Sequence, residues 1–173
     1  MGNAPTSGDR VGEVLVRAPG DGPATWAMGS LFERLASAAE TDRALDVSLV
    51  TQPPGVATPL HVHTYEAEAF FLLDGTMSYQ AGSTLYRLSA GYFIYLPQGV
   101  PHAFRVTGTS PVRFLGLAVP AGLDLYEEVG MPATERRLPG LDGPPVEEEI
   151  RRWNEVSSRY GLRVVGPPIP SET

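Results

Sequence analysis

Residues 54–75 read PGVATPLHVHTYEAEAFFLLDG and contain two of the chain's three histidines, His61 and His63, one residue apart, with Glu68 five positions further on. Side chains at i and i+2 of a β-strand point to one face, so this spacing predicts a strand that presents the two imidazoles together, as parallel rings. After a turn at Thr64 and Tyr65, Glu68 shares a face with Phe70 and Leu72 of a second strand. A carboxylate on such an apolar inner face is costly unless a cation or a proton compensates it. Glu66 is the alternative carboxylate if the phase slips, and with the phase as read it is expected to be dispensable.

The third histidine, His102, stands in GYFIYLPQGVPHAFRV (91–106). Pro97 and Gly99 form a turn there, and the strand that follows puts His102, Phe104 and Val106 on one face. All three histidines thus fall on inward positions. Three imidazoles and one carboxylate predict a metal site in which His61, His63, Glu68 and His102 hold one divalent transition metal per chain. Fe, Mn, Ni, Co and Zn all suit these donors, and four protein ligands leave open positions for chemistry.

Composition bounds the alternatives. At 173 residues, with 19 Gly, 17 Pro and 42% hydrophobic residues, the chain reads as one turn-rich β domain. A net charge of −7 excludes a general nucleic-acid binder. Cysteine is absent and all 13 basic residues are Arg, which removes thiol nucleophiles, thiolate clusters, Schiff-base lysines and the P-loop lysine. Neither a signal peptide nor an apolar run long enough to span a bilayer is evident, so a cytoplasmic location without membrane contact is expected. A serine triad would have to borrow one of the three histidines.

Along the chain, residues 1–12 read as a flexible N-terminal segment, 13–120 as the β-barrel and 121–173 as a C-terminal extension with one or two helices. Strands are expected at 13–17, 25–28, 31–36, 43–51, 59–63, 67–73, 76–80, 84–88, 92–96, 101–107 and 112–118. Leu45–Leu49 alternates as a half-buried strand, and Asp74-Gly75 reads as a hairpin turn. Helices are expected within 122–130, closed by Gly130, and from Pro145 to a cap at Gly161. Ile150, Trp153, Val156 and Tyr160 form a stripe on the second, suited to packing on the barrel or on a partner subunit, or to acting as a lid over a pocket mouth.

The motif Gly55-(five)-His61-x-His63-(four)-Glu68-(six)-Gly75 resembles the first cupin motif, and Gly91-(five)-Pro97-x-Gly99-(two)-His102 resembles the second. The fifteen residues between Gly75 and Gly91 match compact single-cupin proteins. The resemblance implies an all-β jelly-roll barrel with short C-terminal helices, and metal binding by the four residues named. Two positions depart from the pattern: Tyr92 follows Gly91 where Asp is usual, and Val106 stands where Asn is usual. Neither is a ligand position, and Val106 makes the inner wall more apolar.

The tail LAVPAGLDLYEEVGMPA is similar to that of bacterial quercetin 2,3-dioxygenase-like cupins. This likeness implies a dioxygenase acting on an aromatic or enolic small molecule with dioxygen, as a homodimer, in secondary metabolism. Glu68 would be ligand and catalytic base, and Phe70, Leu72, Phe104 and Val106 would bind substrate. The rival readings are a metal-dependent isomerase, cyclase or decarboxylase, and a non-enzymatic small-molecule-binding cupin.

Overall fold

The computed structural model describes residues 14–140, 143 and 146–171. The flexible segment expected at residues 1–12, and Pro145, lie outside the described residues. In chain order the strands are β1 (Ala24–Ala27), β2 (Ser30–Ala36), β3 (Asp46–Gln52), β4 (Leu60–His63), β5 (Ala67–Asp74) and β6 (Thr76–Ala81). They continue with β7 (Thr84–Ser89), β8 (Phe93–Leu96), β9 (His102–Thr107), β10 (Val112–Val119), β11 (Met131–Pro132) and β12 (Leu162–Gly166). The helices are α1 (Leu125–Val129) and α2 (Val146–Val156), and a 3₁₀ turn over Ser157–Tyr160 ends at Gly161 in the left-handed region.

Two antiparallel sheets, ordered β11-β1-β2-β3-β10-β5-β8 and β12-β4-β9-β6-β7, face each other as a jelly roll. Between them lies a core that includes Val50, Leu72, Met77, Leu88, Val106 and Val112. No helix among the described residues is long and apolar enough to cross a membrane.

Three expectations are corrected. Residues 14–17 form no strand: Val14 and Val16 are exposed, and Arg17 attaches the segment through Nε donating to the Leu35 carbonyl (2.9 Å). Asp74-Gly75 is no hairpin turn, because β5 pairs with β8 and β10 while β6 pairs with β7 and β9 in the other sheet. The dipeptide turns a corner of the barrel instead. Gly75, at φ +81°, passes so close to the β10 backbone that a Cβ would sit 2.8 Å from the Pro111 oxygen. The third correction concerns β3, whose alternation is real but faces the other way. Asp46, Ser48, Val50 and Gln52 are buried inside, while Val47 and Leu49 lie outside against Leu117 and Leu115.

Buried charge organises this polar inner face. Arg34 lies 3.6 Å from Asp46, donates to Glu127 (3.0 Å) and reaches the Leu123 carbonyl (3.2 Å). Asp46 Oδ2 accepts the N–H groups of Gly122 and Leu123, both at 2.8 Å. These bonds fix the entry to α1 and so the place of Tyr126, which stacks on Phe32. Trp153, Val156 and Tyr160 pack on Leu125, Val129 and Leu162, whereas Ile150 stays exposed.

Glu149 docks α2 on the barrel. Its buried carboxylate accepts the Met28 N–H at 2.9 Å, in the tight link between β1 and β2. Burial is the largest influence on Glu149 and raises its pKa above the ordinary 4.5, against the hydrogen bonds of Met28 and Gly29 and the charge of Arg152. The folded carboxyl therefore keeps its proton at a pH where the unfolded chain has released it. Stability falls as pH rises from the ordinary value through the raised one. Glu149→Gln keeps an acceptor oxygen without the charge. Its melting temperature relative to wild type should increase between about pH 4 and about pH 7. A difference independent of pH would show that the buried charge is fully compensated.

Candidate metal centre

The three histidines come from one sheet and the glutamate from the other. β4 carries His61 and His63, and His61 pairs directly with His102 of β9. Glu68 enters from β5, between Ala118 of β10 and Leu96 of β8. All four side chains are buried, and one ligand atom from each lies within 4.8 Å of the others. Glu68 Oε2 is 3.0 Å from His102 Nε2 and 3.3 Å from His63 Nε2.

The rings of His61 and His63 are not parallel, as the spacing predicted, but inclined at 68°. His63 instead lies nearly parallel to His102, at 9°. Alternation sets the direction of the Cα–Cβ bond, while the partner of each Nδ1 sets the ring. His61 Nδ1 faces the Pro59 carbonyl (2.7 Å), His102 Nδ1 the Val100 carbonyl (2.9 Å), and His63 Nδ1 makes a short contact with Glu66. Each of these partners is an acceptor, so a ring that is neutral carries its proton on Nδ1 and turns the Nε2 lone pair inward. With all three rings in that form, three lone pairs and a carboxylate converge within 4.8 Å of one another. A cation satisfies that arrangement, and the donors suit a divalent transition metal.

Protonation agrees. Burial, followed by the charge of His102, lowers the His61 pKa to about 4. Burial works to raise that of Glu68, but the charge of His63 and the hydrogen bond from His102 prevail and hold it at about 2. A neutral imidazole and an ionised carboxylate are the forms that bind metal.

Glu66 corrects a further expectation. It is no alternative to Glu68, since both are buried and they do different things. Its Oε1 orients His63, while its carboxylate fits against Gly122, where a Cβ would come within 2.9 Å. The i,i+3 step from His63 was the available signal in the sequence.

Next to the cluster lies an inner chamber of about 30 Å³, lined by Phe32, Phe70, Tyr79, Phe104, Phe114 and Tyr126 with the polar Ser48, Gln52 and Thr58. An outer chamber of about 460 Å³ adjoins it, bounded by Met28, Val56, Ile150, Trp153, Leu162 and Val164. Phe70 and Phe104 line the inner chamber as expected of pocket residues. Leu72 and Val106 do not, because they pack inside the core on the correct face but further along their strands. Alternation assigns a face and carries no information about depth; two residues move a side chain about 7 Å. Burial first, and then the Glu68 charge, raises the pKa of Tyr79 and of Tyr126, so both hydroxyls keep their protons.

Residues 48–119 match the cupin domain family. Over 117 residues, 67% of this chain, the sequence is 26% identical to quercetin 2,3-dioxygenase of Bacillus subtilis (strain 168). The match covers 33% of that protein, so the chain spans about a third of the length of this curated relative. A predicted oxalate decarboxylase from Thermotoga maritima superposes with a TM-score of 0.55 at 20% identity, over 62% of this chain and 99% of that one. An RmlC-like cupin from Shewanella frigidimarina NCIMB 400 gives 0.54 at 15% identity, over 65% and 95%. At these identities the two structures establish the fold alone.

Glu66→Gln should keep the fold and lower metal affinity by roughly 10–100-fold, because the charge that orients His63 is lost. Competition against a chelator of known affinity measures this. An unchanged affinity would mean that His63 is held by packing alone.

Proposed function

We propose that the chain is a metal-dependent dioxygenase acting on an aromatic or enolic small molecule, in the manner of quercetin 2,3-dioxygenase. The observation that carries this reading is the position of the His61, His63, Glu68 and His102 cluster beside an aromatic-walled chamber that opens into a larger one. The outer volume lies within the range of small-molecule sites. The sequence similarity to the Bacillus subtilis enzyme supports the same substrate class.

His61, His63, His102 and Glu68 would hold one divalent ion, with Fe, Mn, Ni, Co and Zn all compatible. Such an ion, when bound, supplies a Lewis-acid anchor for an enolate oxygen and a meeting point with dioxygen. The chain's own residues do the rest. Phe70, Phe104 and Phe114 shield the site from water and hold a flat ring by area. Tyr79 and Tyr126, kept protonated, are donors toward a substrate oxygen. Glu68, held ionised, serves first as a ligand; because a carboxyl with its pKa held at about 2 is a weak base, it would accept the substrate's hydroxyl proton only where a bound ion made that hydroxyl acidic. A homodimer belongs to this reading. Its contact is not the α2 stripe, which is occupied within the chain, but the outer row in which Leu115 pairs with Phe71 and Phe71 with the exposed Phe93.

Metal analysis of the purified protein, followed by oxygen uptake with a panel of flavonols, tests the proposal. Uptake is expected, with both atoms of labelled dioxygen recovered in the products taken together. A product of unchanged mass would favour the isomerase or cyclase, loss of carbon dioxide without uptake the decarboxylase, and unmodified bound ligand the binding module. Two variants divide the roles. His102→Ala should lose most of the metal. Glu68→Gln should retain appreciable metal and lose turnover by about 10²–10⁴-fold, the range of a general base; a wild-type rate would remove Glu68 from proton transfer.

A further inference from the structure

Five residues border both chambers and form the neck between them: Phe32, Gln52, Thr58, His61 and Tyr126. Phe32 and Tyr126 stack with centroids 4.4 Å apart and 18° between planes, making one flat aromatic side. Thr58 Oγ1 accepts the Phe104 N–H at 3.1 Å, and His61 is held through Nδ1. Gln52 differs from these. Its side chain is buried, at 6% exposure, and its Oε1 has no hydrogen-bond partner among the described residues.

The other buried side-chain atoms without a partner have different settings. Arg34 Nη1 and Asp46 Oδ1 lie 3.6 Å apart and attract each other, Glu66 Oε2 sits behind His63, and Glu149 Oε2 lies at the docking point of α2. Only Gln52 among these residues borders the chambers. An acceptor stripped of water and left without a donor is costly, and an apolar side chain of similar size would avoid the cost. The oxygen itself is closed to solvent, and a turn of the side-chain amide would present it to a donor in the neck and remove that cost.

We infer that Gln52 is a substrate-positioning residue whose amide oxygen accepts a hydrogen bond from a ring-borne hydroxyl of an aromatic ligand. The inference rests on the proposed reading of the site, and it narrows the substrate class. The ligand is a flat aromatic enol with its enolic head at the four-residue cluster, its body in the outer chamber, and a second hydrogen-bond donor between them. Phe32 and Tyr126 hold the ring, and Gln52 sets how far and in which orientation it enters.

The test compares two ligands against two proteins. Quercetin carries hydroxyls on its outer rings, whereas the parent flavonol has the same hydroxyketone head and none of them. Titration under nitrogen, with metal content matched, should show that Gln52→Leu weakens quercetin about tenfold and leaves the parent flavonol unchanged. Equal weakening of both ligands, or of neither, would overturn the role of Gln52. Thermal unfolding gives a readout that needs no ligand. Removing an orphaned acceptor should raise the melting temperature of Gln52→Leu by a few degrees. A lower melting temperature would mean that the amide has a structural partner, which overturns the inference whatever the ligand. If wild type binds neither compound, the flavonol reading itself fails, and the melting comparison alone decides whether Gln52 is unsatisfied.

Discussion

Three imidazoles and one carboxylate, brought together from two sheets with one ligand atom of each within 4.8 Å of the others, are the constraint on which the rest of this structure turns. Such a cluster is repulsive unless protons or a cation enter it, so every element that holds it must be firmly placed. The direct pairing of His61 with His102 joins β4 to β9, and Glu68 is held between β8 and β10. Outside the cluster, two backbone carbonyls and the Glu66 carboxylate take the Nδ1 protons, so that ring orientation and tautomer have one common cause.

A barrel that keeps a chamber cannot fill its interior with hydrocarbon alone. In β3 this appears as an inverted pattern: Asp46, Ser48 and Gln52 turn inward, and Val47 and Leu49 turn outward. Asp46 is compensated by Arg34 and two backbone N–H groups, and that network places α1 and Tyr126 at the chamber wall. Gln52 is left without compensation at the neck. The jelly-roll core proper, with Leu72, Val106 and Val112, lies beyond the chamber and is packed apolar.

The C-terminal elements complete the vestibule. β12 pairs with β4, the strand that carries two of the histidines, and α2 contributes Ile150 and Trp153 to the outer chamber. Glu149 binds α2 to the link between β1 and β2, while Trp153, Val156 and Tyr160 bury one side of it against α1 and β12. One helix face is thus shared between packing and pocket. This is why a stripe read as a single apolar surface divides into a buried part and the exposed Ile150.

Most strands from Ala24 to Val119, and the convergence of His61, His63, Glu68 and His102, were legible in the sequence by itself. They depend on alternation and on short spacings, which are local properties of a β-chain. Other features were settled only in three dimensions. Asp74-Gly75 became a corner because its two strands belong to different sheets, and β3 turned its polar side inward because of what faces it. Leu72 and Val106 lie on the predicted face at the wrong depth, since a period of two assigns sides and not distance along the barrel. Glu66 and Gln52 carry no motif at all. Their importance comes from neighbours distant in sequence or from the lack of one, and only the folded chain determines which polar atoms are left without water and without a partner.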